Sequence, residues 1–180
     1  PYDRPQTSMA DFPKSPACLA EYENPADRRF HAQPNACPVC GPQLAWTDAA
    51  GRALTGDPVR EAAAALRRGE IVALKGIGGF HLVCDGRNPA AVKRLRQRKG
   101  RDEKPLAVMC AGVASARRWV EVSKDEEALL LSPAHPIVLC RKTQSLRSAE
   151  EEAPESPAAL PGIAPGLAEV GVMLPYTPLH

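Results

Sequence analysis

Cys18, Cys37 and Cys40 have the residue type and spacing that hold a metal ion. Cys37-Pro38-Val39-Cys40-Gly41 sets two thiols on one tight turn, and the glycine lets backbone N–H groups point at the sulfurs, as in a zinc knuckle. Structural Zn²⁺ takes four ligands in a tetrahedron. A complete ribbon would carry its fourth cysteine three residues before Cys18, and that position is Ser15. His31 or a water molecule could close the site; the competing outcome is a degenerate site in which Ser15 leaves the metal weakly held or absent. Nothing nearby suggests a substrate pocket, so the expectation is structural rather than catalytic zinc.

A second chemical stretch runs from Lys75 to Cys110. Between Arg87 and Lys104 stand eight basic residues against the two acidic ones, Asp102 and Glu103. Lys99-Gly100-Arg101 projects two cations from one turn, and Lys104 adds a third beside Pro105. Arginine can grip a phosphate in a bidentate fork while lysine supplies a point charge, so the trio suits a polyphosphate and its leaving pyrophosphate. A solvated basic helix end is the competing reading. The glycines Gly76-Ile77-Gly78-Gly79 do not form a P-loop, which needs a following Gly-Lys-Ser/Thr, nor a dinucleotide fingerprint, which needs glycine where His81 stands. They make a tight corner and no more.

The elements that must position these residues read as α/β. Asp57-Pro58 starts a helix bearing Val59, Ala62, Ala63 and Leu66 on one face, with Gly69 as its stop. Ile71–Ile77 is expected as a buried strand. Asn88-Pro89 opens a helix with Ala91, Val92 and Leu95 inward and its arginines elsewhere, and Lys104–Cys110 is the next strand. A short helix fits Val113–Val120, a capping box at Ser123–Glu126 introduces a helix through Leu131, and strands are expected at Pro136–Arg141 and Gly171–Pro175. Thr143 to Pro165 is polar, acidic and rich in proline and alanine, and reads as a mobile loop.

Bulk properties narrow the class. The 180 residues carry a net charge of +2, which excludes a global attraction to nucleic acid or membrane. No apolar run is long enough to span a bilayer, and the first residues carry no n-region and h-region signal. Cys84, Cys110 and Cys140 lie in apolar runs as small core residues, so the cysteines favour a reducing, cytoplasmic compartment. The chain starts without methionine and stops straight after an apolar run, so a fragment of a longer protein is expected. Residues 1–45 carry eight prolines and little apolar periodicity, and such a segment needs a staple.

The run from Cys18 through Asp27-Arg28-Arg29-Phe30-His31 and Pro34 to Cys37-Pro38-Val39-Cys40-Gly41-Pro42 resembles the second zinc finger of the HypF-type hydrogenase maturation carbamoyltransferases. Residues 1–8 are similar to the linker between that family's two fingers, and residues 9–46 to the finger itself. Family fingers carry four cysteines, so Ser15 is a departure. Gly78-Gly79-Phe80-His81 and the run from Leu95-Arg96 to Lys104-Pro105-Leu106-Ala107-Val108-Met109 resemble the start of the YrdC/Sua5-like domain that follows the fingers. The resemblance implies a mixed, twisted sheet with helices over residues 57–180, cut short at its C-terminal side.

It also implies a chemistry. An upstream acylphosphatase-like domain releases carbamate from carbamoyl phosphate, and the YrdC-like domain joins it to ATP with Mg²⁺, giving carbamoyl adenylate and pyrophosphate. A downstream Kae1-like domain passes the carbamoyl group to the C-terminal cysteine of a HypE-like acceptor, on the way to the cyanide ligand of [NiFe] hydrogenase. Lys99, Arg101 and Lys104 would then bind ATP phosphates, and Lys75 and His81 would line the carbamate or adenylate pocket. The related synthases pair Lys-x-Arg with a later Ser-x-Asn, expected here beyond His180, so the piece alone should be inactive. A tRNA threonylcarbamoyladenylate synthase shares the fold but should lack the zinc segment. A double-stranded RNA-binding module would use the same basic surface without catalysis.

Overall fold

The computed structural model describes residues 6–7, 9–76, 79–100, 103–153 and 159–180. Arg101, Gly78 and most of the linker at residues 1–8 lie outside the described residues. The chain divides into two compact units, Pro1–Pro58 and Val59–His180.

The first unit is built around one short helix, α1 (Pro16–Glu23). Ser15 is its N-cap, accepting from the Cys18 backbone N–H at 3.3 Å, and Pro16 occupies the first turn, where a missing N–H costs nothing. Glu21 takes two bonds of 2.8 and 2.7 Å from the Arg29 guanidinium. Buried Asn35 donates to the Cys18 carbonyl at 3.3 Å and to Glu21 at 3.2 Å, which folds the loop after α1 back along the helix. Cys18 is the only buried apolar residue among the described residues of this unit. Hydrophobic burial therefore cannot hold it together.

In the second unit α2 (Pro58–Arg67) leads into the antiparallel hairpin of β1 (Val72–Lys75) and β2 (Phe80–Val83). Strand β2 was not anticipated: the glycine corner reverses the chain instead of leading directly to the basic helix, and Gly76 N–H donates to the Gly79 carbonyl at 2.7 Å. Then comes α3 (Pro89–Lys99), capped by Asn88 Oδ1 accepting from Ala91 N–H at 3.0 Å and ended by Gly100 at φ 54°, a left-handed conformation that favours glycine.

The remaining elements are β3 (Val108–Met109), α4 (Val113–Ala116), α5 (Lys124–Leu131), β4 (Val138–Arg141), α6 (Gln144–Glu152) and β5 (Glu169–Met173). They form a three-stranded sheet in the order β3-β5-β4, with β3 parallel and β4 antiparallel to β5. The sheet is mixed, as expected of this α/β unit. Alternate residues of β4 (Val138, Cys140) and of β5 (Val170, Val172) face a core that also includes Val92, Leu130 and Leu146, while Gly171 lies on the other face against Ile137 and Leu139. Burial pushes the Cys84 and Cys110 thiols up, and that of Cys140 to about 11.

Two expectations are corrected here. The segment from Thr143 to Pro165 is not a featureless loop: Thr143 caps α6, and Leu146, Ala159, Leu160, Ile163 and Ala164 are buried. Nor do all the arginines of α3 face outward. Arg96 is only 9% exposed and donates to the carbonyls of Gly162 at 2.7 Å, and of Ile163 and Lys104 at 3.2 Å each.

Candidate functional site

The sulfurs of Cys18, Cys37 and Cys40 lie within 4.8 Å of one another. Helix α1 supplies the first, and the turn in which Cys40 and Gly41 N–H both donate to the Cys37 carbonyl supplies the other two. Within that turn the sulfurs are 3.8 Å apart, and Val39 N–H points at Cys37 Sγ from 3.4 Å. Three thiols so placed fit a tetrahedral d¹⁰ ion, whose bonds of about 2.3 Å to sulfur set neighbouring ligands about 3.8 Å apart.

The electrostatics favour thiolates at the turn. Hydrogen bonding from the Cys37 backbone, then from Ser15, brings the Cys40 thiol down to about 6. The Ser15 hydroxyl, followed by the Cys40 and Val39 backbone, lowers Cys37 as well. For Cys18 the Ser15 hydroxyl also pulls downward, but burial and the two neighbouring thiols outweigh it and the net shift is up. Ser15 Oγ stands 3.4 Å from Cys37 Sγ. His31 is outside the group: its ring packs on Phe30 and Tyr22 at centroid distances of 4.3 and 5.0 Å, and its backbone, at φ 54°, turns the chain.

The second unit brings Lys75 and His81 onto one hairpin. Lys75 is paired with Phe80 in the last rung before the glycine corner, and its ammonium lies 4.8 Å over the Phe80 ring. His81 Nε2 is 3.2 Å from the Tyr176 hydroxyl. Tyr176 in turn stacks on His180 at 4.2 Å, and His180 Nδ1 meets Thr177 Oγ1 at 2.7 Å. Gly76 lies under this group, where a Cβ would come within 2.5 Å of the Tyr176 hydroxyl and 3.2 Å of His81 Nε2.

The result is a half-buried cluster of two imidazoles and a phenol, able to relay a proton, while the Lys75 ammonium lies with Phe80 on the opposite face of the hairpin. His180 Nε2 is buried with no hydrogen-bond partner among the described residues. Burial, and after it the neighbouring His81, lower the His180 pKa. Sequence reasoning missed Tyr176, Thr177 and His180, because their only link to His81 is spatial, across ninety-five residues in the case of Tyr176.

Lys99 and Lys104 are exposed, one closing α3 and the other just past the turn. Neither forms an ion pair with a described carboxylate. Arg96, Arg98 and Lys99 together occupy the negative end of the α3 dipole. Of these, Arg96 is committed to backbone carbonyls and only the outer two are open to a ligand.

Comparison with known proteins gives the family of the chain. Residues 64–180 match the Sua5/YciO/YrdC family, described as "Telomere recombination", and residues 16–47 match the HypF finger. Carbamoyltransferase HypF of Rhodobacter capsulatus is 55% identical over the whole chain, and that of Synechocystis 46%; in both cases the chain spans 22% of the relative's length. Among solved structures, full-length HypF in a phosphate- and nucleotide-bound form matches the whole chain with a TM-score of 0.81 at 44% identity, again over 22% of its length. A Sua5 variant from P. abyssi shares the fold over 68% of this chain and 35% of its own, with a TM-score of 0.53 at 22% identity.

Proposed function

Since the chain belongs to the HypF family of carbamoyltransferases, with a HypF finger ahead of a Sua5/YciO/YrdC segment, we propose that it is the part of such an enzyme that forms carbamoyl adenylate from carbamate and ATP. The observation that carries this reading is the likeness along the entire chain, at a TM-score of 0.81, to a HypF described as phosphate- and nucleotide-bound.

In this reading a carbamate oxygen attacks the α-phosphorus of Mg²⁺-bound ATP. The bond to the bridging oxygen breaks, and pyrophosphate leaves with that electron pair. Lys99 and Lys104, with Arg101 between them in sequence, neutralise the charge that builds on the leaving pyrophosphate. His81, held by the Tyr176 hydroxyl, orients the carbamate oxygen, and Lys75, on the outer face of the same hairpin beside Phe80, adds positive charge near the corner. Carbamate decomposes in water, so the packed surface around Gly76 also serves by excluding solvent.

Carbamoyl phosphate as the source of carbamate, and a HypE-like cysteine thiolate as the final acceptor, belong to acylphosphatase-like and Kae1-like domains of the longer protein. The finger has a structural part: Zn²⁺ would cross-link α1 to the Cys37–Cys40 turn through the three thiolates.

The test is carbamoyl-phosphate-dependent ATP–pyrophosphate exchange by the full-length protein carrying Lys99→Ala and Arg101→Ala. Exchange should fall by about 10²-fold or more. Undiminished exchange would remove both residues from the phosphate site.

A further inference from the structure

We propose that the Ser15 hydroxyl is the fourth metal ligand, so that the residue capping α1 also closes the tetrahedron of a three-cysteine, one-serine site. The inference rests on the reading of the finger as a zinc site and adds a ligand of a chemistry that the thiol pattern does not announce.

The geometry carries it. A tetrahedral ion with bonds of about 2.3 Å to sulfur and about 2.0–2.2 Å to oxygen requires an oxygen–sulfur edge of about 3.5–3.7 Å, and Ser15 Oγ stands 3.4 Å from Cys37 Sγ. The corresponding sulfur–sulfur edge at Cys37 and Cys40 is 3.8 Å. The three sulfurs lie within 4.8 Å of one another, so the hydroxyl in contact with Cys37 borders the whole group. Its position is fixed from the other side, because it accepts the Cys18 backbone N–H at 3.3 Å as the helix cap. One lone pair serves the helix and another is left for the metal. His31, the other protein candidate, is held away by Tyr22 and Phe30.

The chemistry of such a site differs from that of four thiolates. Oxygen is harder than sulfur and its bond to Zn²⁺ is weaker, so the ion should be held less tightly and exchange faster. Three thiolates and a neutral hydroxyl leave one negative charge on the zinc complex rather than two. The finger of this chain would then give up its metal more readily than one with a full set of cysteines.

The experiment uses the full chain with Zn²⁺ and compares wild type, Ser15→Cys and Ser15→Ala by metal stoichiometry, competition with a chelator and X-ray absorption at the zinc edge. Wild type should hold one equivalent, with three sulfurs and one oxygen in the first shell. Ser15→Cys should show four sulfurs and bind more tightly, and Ser15→Ala should bind about tenfold more weakly or worse. If Ser15→Ala does not fold, Ser15→Gly decides, because glycine keeps most of the cap's worth and supplies no oxygen: a ligand predicts weaker binding, and a residue that only caps α1 predicts unchanged binding. Unchanged affinity and first shell in Ser15→Ala would assign the fourth position to water and overturn the inference. No stoichiometric metal in either wild type or Ser15→Cys would overturn the zinc reading itself.

Discussion

Arg96 Nε donates to the Gly162 carbonyl at 2.7 Å, tying the basic helix to a segment sixty-six residues further along. Its other nitrogens reach the Lys104 and Ile163 carbonyls, so one guanidinium organises the turn after α3 and the loop before β5. Replacing it with alanine takes a donor from three carbonyls, of which that of Ile163 keeps the Leu106 N–H at 2.9 Å. Arg96→Ala should cost about 2–4 kcal/mol in urea denaturation, and Arg96→Lys should recover only part of that, because an ammonium cannot reproduce the planar fork. A loss below about 0.5 kcal/mol, the scale of ordinary surface substitutions, would show that the guanidinium adds little to the fold.

Lys142 and Glu150 offer a second stability test. The lysine is 1% exposed, and its ammonium bonds Glu150 at 2.7 Å and the Ala164 carbonyl at 2.8 Å. Removing the carboxylate strands a buried charge, whereas replacing the lysine by an apolar residue of similar length does not. Glu150→Ala should therefore destabilise by about 2–4 kcal/mol, more than Lys142→Met does. The reverse order in thermal melts would contradict this account of α6.

Gly76 predicts a rescue. An alanine there would bring Cβ within 2.5 Å of the Tyr176 hydroxyl. Gly76→Ala should lower exchange activity in the full-length protein by tenfold or more, an expectation of about 10²-fold being the scale for small misplacements of a reacting group. Adding Tyr176→Phe removes the clashing atom and should restore part of the loss. If the double variant is no better than Gly76→Ala, the contact does not limit the site.

Thiol reactivity should separate the cysteines. With metal removed, Cys40, at about 6, is ionised at neutral pH, while Cys140, at about 11, is protonated and buried. Alkylation at pH 7 should label Cys40 first and Cys140 last, and Cys40 labelling should fade as pH falls through 6, where the thiolate takes up its proton. Zinc should protect Cys18, Cys37 and Cys40 together. Chelation should also expose residues 9–58 to protease while leaving the second unit intact, because Cys18 is the only buried apolar residue described in the first.

Local signals carried much of this fold into the sequence. Asn88-Pro89 and Gly100 bound α3, and Ser123 and Glu126 form the expected reciprocal capping box, because these devices depend on neighbours within one turn. Long-range effects were invisible. Strand β2 is four residues of a hairpin whose identity comes from its pairing with β1, and α6 is an acidic, mostly polar segment anchored by Lys142 and buried Leu146. Arg96 reads as one more surface cation until the Gly162 and Ile163 carbonyls are in view. At the candidate site the cysteines were legible by spacing, whereas Ser15 read as a missing ligand and the partners of His81 came from the far end of the chain.

Carbamoyl-adenylate formation is tested most directly by isotope exchange between pyrophosphate and ATP in the full-length protein, with carbamoyl phosphate present or withheld. The account predicts label entering ATP only when carbamoyl phosphate is supplied. Exchange that ignores carbamoyl phosphate, or that depends instead on threonine and bicarbonate, would contradict it.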